Sequence, residues 1–193
     1  MIKTKLLLIL LAVAFFSCNS PSQTEENNDC LNEVENSIIK EAQENFEKAL
    51  KAYYKSDDLN EMYLDFLNDF SEMKFPPQFF VNNPSYKVIE KLQTQDLIKN
   101  YWISDSEEDA KLFLIRTDVS GHWFNCLSKT LSNSDLMEVI NTMEQIKNLS
   151  PGIIASAFHE SLKGKKITSN IKKIIALSFY YEQSLMLLMN SEE

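Results

Sequence analysis

Two histidines and three cysteines stand among the 193 residues of this chain, and they bound its metal-binding and nucleophilic chemistry. His122-Trp-Phe-Asn-Cys126 sets an imidazole and a thiol one helical turn apart. It is the one sequence-local arrangement that resembles a nucleophile beside its base. Such a centre also needs a formed thiolate, an oxyanion site and usually an orienting third group, and the sequence presents no pattern for any of them. The spacing reads better as a buried cysteine that happens to follow a histidine. His159-Glu160 fares no better as a metal site, because further ligands would have to come from distant helices. No Glu-x-x-His pair suggests a carboxylate-bridged dimetal bundle. Gly-rich phosphate loops, a Gly-x-Ser-x-Gly turn and a dinucleotide fingerprint are all missing from the sequence. The acidic pairs Asp57-Asp58 and Glu107-Glu108 are explained as carboxylates at helix N-termini. The chain is therefore expected to act without a metal, a cofactor or a catalytic residue.

Two further groups of residues invite interaction rather than catalysis. Cys30 and Cys126 can form a disulfide in an oxidising compartment. Closing a loop of that length would contribute about 4–5 kcal/mol in the chain-entropy view. Two cysteines without a spacing motif are equally compatible with small buried apolar side chains, so both states stay open. The segment Phe75-Pro76-Pro77-Gln78-Phe79-Phe80 surrounds two prolines with aromatic rings. Prolines preclude a regular helix through it, and its rings must either cover the core or offer a contact surface. Folding back is the expectation, since most such side chains are buried. Phe75, Pro76, Pro77, Phe79 and Phe80 would form the recognition loop if they are not.

These residues must be carried by helices. Leu31, Val34, Ile38, Ala42, Phe46, Leu50 and Tyr53 recur at three- and four-residue steps and define one helical face, with Asp29 or a neighbouring Asn as its cap. Ser56-Asp57-Asp58 opens a second helix with Met62, Tyr63, Phe66, Leu67 and Phe70 inward. Asn83-Pro84 pairs a cap with a first-turn proline. From there Ile89, Leu92, Leu97, Ile98, Tyr101 and Trp102 continue the pattern, with a break at Thr94. Residues 106–115 are expected to be helical, starting at Ser106-Glu107-Glu108-Asp109. Leu112-Phe113-Leu114-Ile115 also fits a short buried strand, but no partner strand is evident. Another break is expected near Ser120-Gly121. Ser134 caps a helix with Leu136, Val139, Ile140, Met143 and Ile146 inward. Ser150-Pro151 starts one with Ile153, Ile154, Ala157, Phe158 and Leu162, and Gly164 suits its left-handed stop. The last helix, about Ser169 to Asn190, is apolar on most sides and so belongs at the centre of its bundle. Glu182 and Gln183 interrupt it, which argues against a membrane span. The fold class expected is all-α, an irregular multihelical bundle in a single domain over 30–193, with a short irregular α-solenoid as the alternative.

Composition narrows the partners. Nineteen basic residues face 28 acidic ones, for a net charge of −9. This acidity disfavours nucleic acid, which calls for clustered Lys and Arg. Electrostatic adhesion to anionic lipid is disfavoured for the same reason. Three glycines and five prolines are too few for an all-β fold rich in turns.

The first thirty residues supply the address. Lys3 and Lys5 precede an uncharged run, Leu6 to Phe16, that ends at Ser17-Cys18; this is the secretory signal layout, and the run is too short to span a bilayer. Ser17-Cys18 resembles the end of a bacterial lipobox. Phe15 and Phe16 depart from its commonest form and are similar to the looser boxes of Bacteroidota lipoproteins. The resemblance covers residues 1–18 and implies that Cys18 is acylated and becomes the N-terminus. Ordinary cleavage after Ala12-Val13-Ala14 is the competing possibility. Removal of residues 1–17 takes two lysines and no acid, moving the net charge to −11. Residues 18–29 are polar and suit a flexible tether. The expected product is a non-enzymatic protein anchored by its acyl chain to the inner or outer membrane of a bacterial envelope, binding a protein or an envelope component. One version resembles the immunity lipoproteins that neutralise toxins. The alternative class is an envelope hydrolase using His122, Cys126 or His159.

Overall fold

Residues 169–189 run as one helical rod around which the other elements assemble in the computed structural model, which describes residues 30–106, 113–146 and 149–191. The elements in chain order are α1 (Glu33–Tyr54), α2 (Leu59–Ser71), α3 (Pro77–Phe80), α4 (Asn83–Thr94), α5 (Ile98–Tyr101), β1 (Trp102–Ser106), β2 (Phe113–Thr117), α6 (His122–Ser128), α7 (Ser134–Gln145) and α8 (Pro151–Leu162). The rod itself comprises α9 (Ser169–Ile175), a π-helical stretch (Ala176–Tyr181) and α10 (Glu182–Met189). The fold is thus an all-α, multihelical bundle in character, with a single two-stranded antiparallel hairpin among the described residues. The expected signal peptide, Cys18 and the expected tether lie outside the described residues, as does the run from Glu107 to Leu112. Among the described residues no helix is long and apolar enough to cross a membrane.

Local chemistry sets the helix starts. Asn32 accepts from the Glu35 backbone N–H at 2.9 Å while the Glu35 carboxylate accepts from the Asn32 N–H at 3.2 Å, a reciprocal capping box. Asp58 caps α2 through the N–H groups of Asn60 and Glu61. Ser150 caps α8 ahead of Pro151, as the sequence suggests. Two caps stand one residue earlier than expected: Asn82 rather than Asn83, and Asn133 rather than Ser134. In each case an Asx side chain that can reach two or three residues on takes the position. Gly164 ends the α8 segment at φ +71°, a left-handed geometry that glycine adopts without steric cost. Gly152 serves packing: a Cβ there would lie 3.2 Å from the Ser71 carbonyl oxygen, so its absence lets α8 approach the end of α2.

The rod is central because it is apolar all round. Ile174, Ile175, Ala176, Leu177, Phe179, Tyr180 and Tyr181 are all buried, with α1, the hairpin and α6 against it. An aromatic cluster fills the space beside it. Phe46 of α1 meets Phe66 at 4.7 Å, Tyr180 at 4.9 Å and Tyr63 at 5.4 Å between ring centroids.

Three expectations are corrected. Residues 102–117 form a hairpin, not the end of one helix and the start of another: Trp102 pairs with Thr117 and Ile103 with Arg116. The strand partner that seemed to be lacking is Trp102-Ile103-Ser104, which the helical spacing of Ile98, Tyr101 and Trp102 had absorbed; the expected helix start at Glu107-Glu108-Asp109 lies outside the described residues. Second, Phe75–Phe80 is not a wholly irregular loop, because Pro77 occupies the first position of a single helical turn, where proline's missing N–H is harmless. Third, Val34, Ile146 and Ile153 are exposed rather than inward. Val34 sits on the solvent side of the first turn of α1, and the two isoleucines line a cleft.

Candidate functional site

The cleft has a volume of about 1330 Å³, beyond the ~300–1,000 Å³ usual for small-molecule pockets. One part of its lining is the end of α2 with Phe75 and Phe80, and another is the hairpin from Ile103 across to Leu114–Thr117. The ends of α7 and α8 close a third side with Met143, Ile146 and Ile153, and the central rod supplies the floor through Ser178, Phe179, Glu182 and Met186. Of the nine large apolar side chains exposed among the described residues, five line this cleft: Met73, Ile103, Leu114, Ile146 and Ile153. Isolated exposed apolar residues are ordinary, whereas a contiguous patch marks a contact site.

Glu182 is the chemical focus of the floor. It is 7% exposed, and both of its hydrogen bonds fall on one oxygen: the Thr117 backbone N–H donates to Oε2 at 2.5 Å and the Thr117 hydroxyl at 2.7 Å. Oε1 receives no hydrogen bond from the described residues. Loss of solvent pushes the carboxyl up to about 8, and the two donations from Thr117 only partly restore the charged form. Ser178, one π-turn earlier, is 3% exposed, and its hydroxyl has no hydrogen-bond partner among the described residues. The π-helical stretch lies where the rod borders the cleft, and π-turns interrupt α-helices most often at functional sites. Within it the Leu177 carbonyl accepts from the Glu182 backbone N–H, five residues on, and also from the Trp102 indole N–H at 3.3 Å.

An acid held above its ordinary value of 4.5 makes the folded state the tighter proton binder. Stability contributed by the neutral carboxyl is therefore present at low pH and lost as pH rises from about 4.5 through about 8. Glu182→Gln keeps the shape and can still accept both Thr117 donors. The variant is expected to be more stable than the parent by up to about 4 kcal/mol at pH 8 and to lie within about 1 kcal/mol of it at pH 5. Urea melts across that range check this, and an unchanged slope of stability against pH in the variant would refute it.

The residues singled out in the sequence are scattered relative to this cleft. Cys30 and Cys126 form a disulfide with a Cα–Cα distance of 5.8 Å, so in this state Cys126 holds no thiol to ionise. His122 is turned to the same place: the Cys30 carbonyl accepts from its Nε2 at 2.5 Å. His159 lies on α8 against α2, with Nδ1 3.1 Å from the Glu160 carboxylate. Burial, then the neighbouring Asp69 charge, raises the Asp65 carboxyl above its ordinary range, and His159 opposes the shift. Neither histidine nor either cysteine borders the cleft. Among the described residues no group of three or more His, Cys, Asp or Glu side chains is placed to hold a metal ion.

The aromatic-proline segment divides its roles. Phe79 and Phe80 are buried, Phe75 is half-buried and stacks on Phe79 at 4.3 Å, while Pro76 and Pro77 face solvent. Phe75 and Phe80 also border the cleft, so the segment folds back on the core and presents one wall of the site at once. Sequence reasoning passed over Glu182, Ser178 and Thr117. The available signal was a lone acid in an otherwise apolar helix, which had been used only to argue against a membrane span.

Comparison of the chain with known protein families, with curated proteins and with solved structures finds no match. The functional reading accordingly rests on the site itself.

Proposed function

We propose that this chain is an exported, lipid-anchored binding protein of the bacterial cell envelope, and that it holds an apolar component of that envelope in the cleft between the hairpin, α8 and the central rod. The observation that carries the binding role is the gathering of Met73, Ile103, Leu114, Ile146 and Ile153 around one concave surface. Their exposure costs solubility with no return to the core, and a ligand that covers them recovers the burial at about 25 cal/mol per Å². The Cys30–Cys126 bond supports export, because disulfides persist in oxidising compartments. The lipobox-like Ser17-Cys18 supports anchoring, and the polar stretch that follows supplies reach.

One preparation tests both parts. In a bacterial host fed a clickable fatty acid, the full chain is expected to take up label and sediment with membranes, and Cys18→Ala to do neither. Purified without its lipid, the folded domain is expected to brighten an apolar fluorophore, with the signal falling about tenfold or more in Leu114→Glu/Ile153→Glu. Labelling that survives Cys18→Ala refutes the anchor, and dye binding indifferent to the double variant refutes the cleft.

A further inference from the structure

We propose that the ligand of this cleft is an amphiphile with a protonated amine at its polar end, its ammonium group seated on the floor against Glu182 and Ser178. The inference rests on the reading of the cleft as a binding site and goes beyond it by naming the head group.

Three observations lead there. The floor holds two oxygens with acceptor capacity to spare: the buried, unpartnered hydroxyl of Ser178, and Oε1 of Glu182, which lies outside the pair of Thr117 bonds. Buried polar atoms in folded proteins are nearly always satisfied, so unspent capacity at the bottom of a cleft points to a ligand group. Second, the charged lining among the described residues is mainly acidic: Asp118, Glu144 and Glu182 against Arg116. An anionic head group would be placed among three carboxyl groups, whereas an ammonium beside Glu182 favours its ionised form and pairs with it. Third, most of the remaining lining is aliphatic or aromatic, with a minority of Ser, Thr and Gln side chains, which suits an alkyl chain or ring system better than a small hydrophilic amine.

The donor count separates the amine from a neutral head group. An alcohol has one O–H donor and can satisfy either Oε1 or the Ser178 oxygen. A primary ammonium carries three donors and can satisfy both. A hydrogen bond to a charged partner is about twice as strong as a neutral one. The expected preference is therefore about tenfold or more for the amine.

The test compares dodecylamine, dodecanol and dodecanoate on the purified folded domain by displacement of the apolar fluorophore and by calorimetric titration. The expected order is amine tightest, alcohol weaker by about tenfold, carboxylate weakest. Glu182→Gln is expected to erase the amine's lead over the alcohol, and Ser178→Ala to reduce it several-fold. Urea melts of both variants establish that the fold is retained. Equal affinity for amine and alcohol, or a lead that survives Glu182→Gln, overturns the head-group assignment while leaving the cleft intact. Absence of binding by all three chains, with dye fluorescence indifferent to Leu114→Glu/Ile153→Glu, overturns the cleft and this inference with it.

Discussion

Replacing Cys30 by Ser and Cys126 by Ala together is expected to lower the free energy of unfolding by about 3–5 kcal/mol. The bond closes a loop between residues 96 apart in sequence. In the chain-entropy view a loop of that size removes about 4–5 kcal/mol of conformational freedom from the unfolded chain. Ala suits position 126 because Cys126 is 2% exposed and its surroundings are apolar, so the change adds no buried polar atom. Cys30 is exposed, where Ser is harmless. Urea melts provide two independent signatures. The midpoint should fall, and the slope of free energy against denaturant should rise, because the uncrosslinked chain exposes more surface when it unfolds. A midpoint within experimental error of the parent would show that the bond contributes nothing, and an unchanged slope would place its effect outside the unfolded state.

Phe66→Ala is expected to cost about 3–5 kcal/mol, comparable to loss of the disulfide but for a different reason. Phe66 is fully buried and bridges three parts of the core: Phe46 of α1 at 4.7 Å, Phe70 one turn on at 5.6 Å and Phe75 ahead of α3 at 5.3 Å. Truncation leaves a cavity that rigid neighbours on three sides cannot fill, so both transfer energy and packing are lost. Phe75 forms part of the cleft wall. The variant should therefore also weaken dye binding and change the near-ultraviolet circular dichroism, which reports aromatic packing. Destabilisation below about 1 kcal/mol would mean that the aromatic cluster closes over the gap, contrary to the close packing of protein interiors.

The helices were legible because each carried an apolar stripe and a start signal. Ser150-Pro151 and Asp58 act as read, and the all-round apolar character of 169–189 places the rod at the centre. The hairpin was obscured by periodicity itself. Trp102 falls at a helical step from Ile98 and Tyr101, so its strand character emerges only once Thr117 lies opposite it, a tertiary fact. The cleft was hidden for a related reason. Ile146 and Ile153 satisfy a helical core pattern, yet they face a concavity that exists only after α7, α8 and the hairpin converge. Glu182 was visible as an anomaly of composition, but its value lies in the contact with Thr117, 65 residues earlier, which one-dimensional spacing cannot express.

The Cys30–Cys126 disulfide also bears on how the molecule would carry load. If the chain is anchored at Cys18 as proposed, a pull from the membrane reaches the folded domain through residue 30. Cys30 is joined covalently to Cys126 on α6, and α6 packs on α9 at the head of the central rod. Under that anchorage, tension would pass across one sulfur–sulfur bond into the rod, whose middle and far turns form the floor of the cleft. The chain from residue 30 to residue 126 lies in parallel with that bond and cannot lengthen while it holds. A pull on the tether cannot peel α1 away turn by turn; it must dislodge the rod and its neighbours together, a shearing event governed by the unfolding rate of the core. Reduction of the bond would reroute the same tension through α1, so redox state would decide whether the molecule yields at its edge or at its centre.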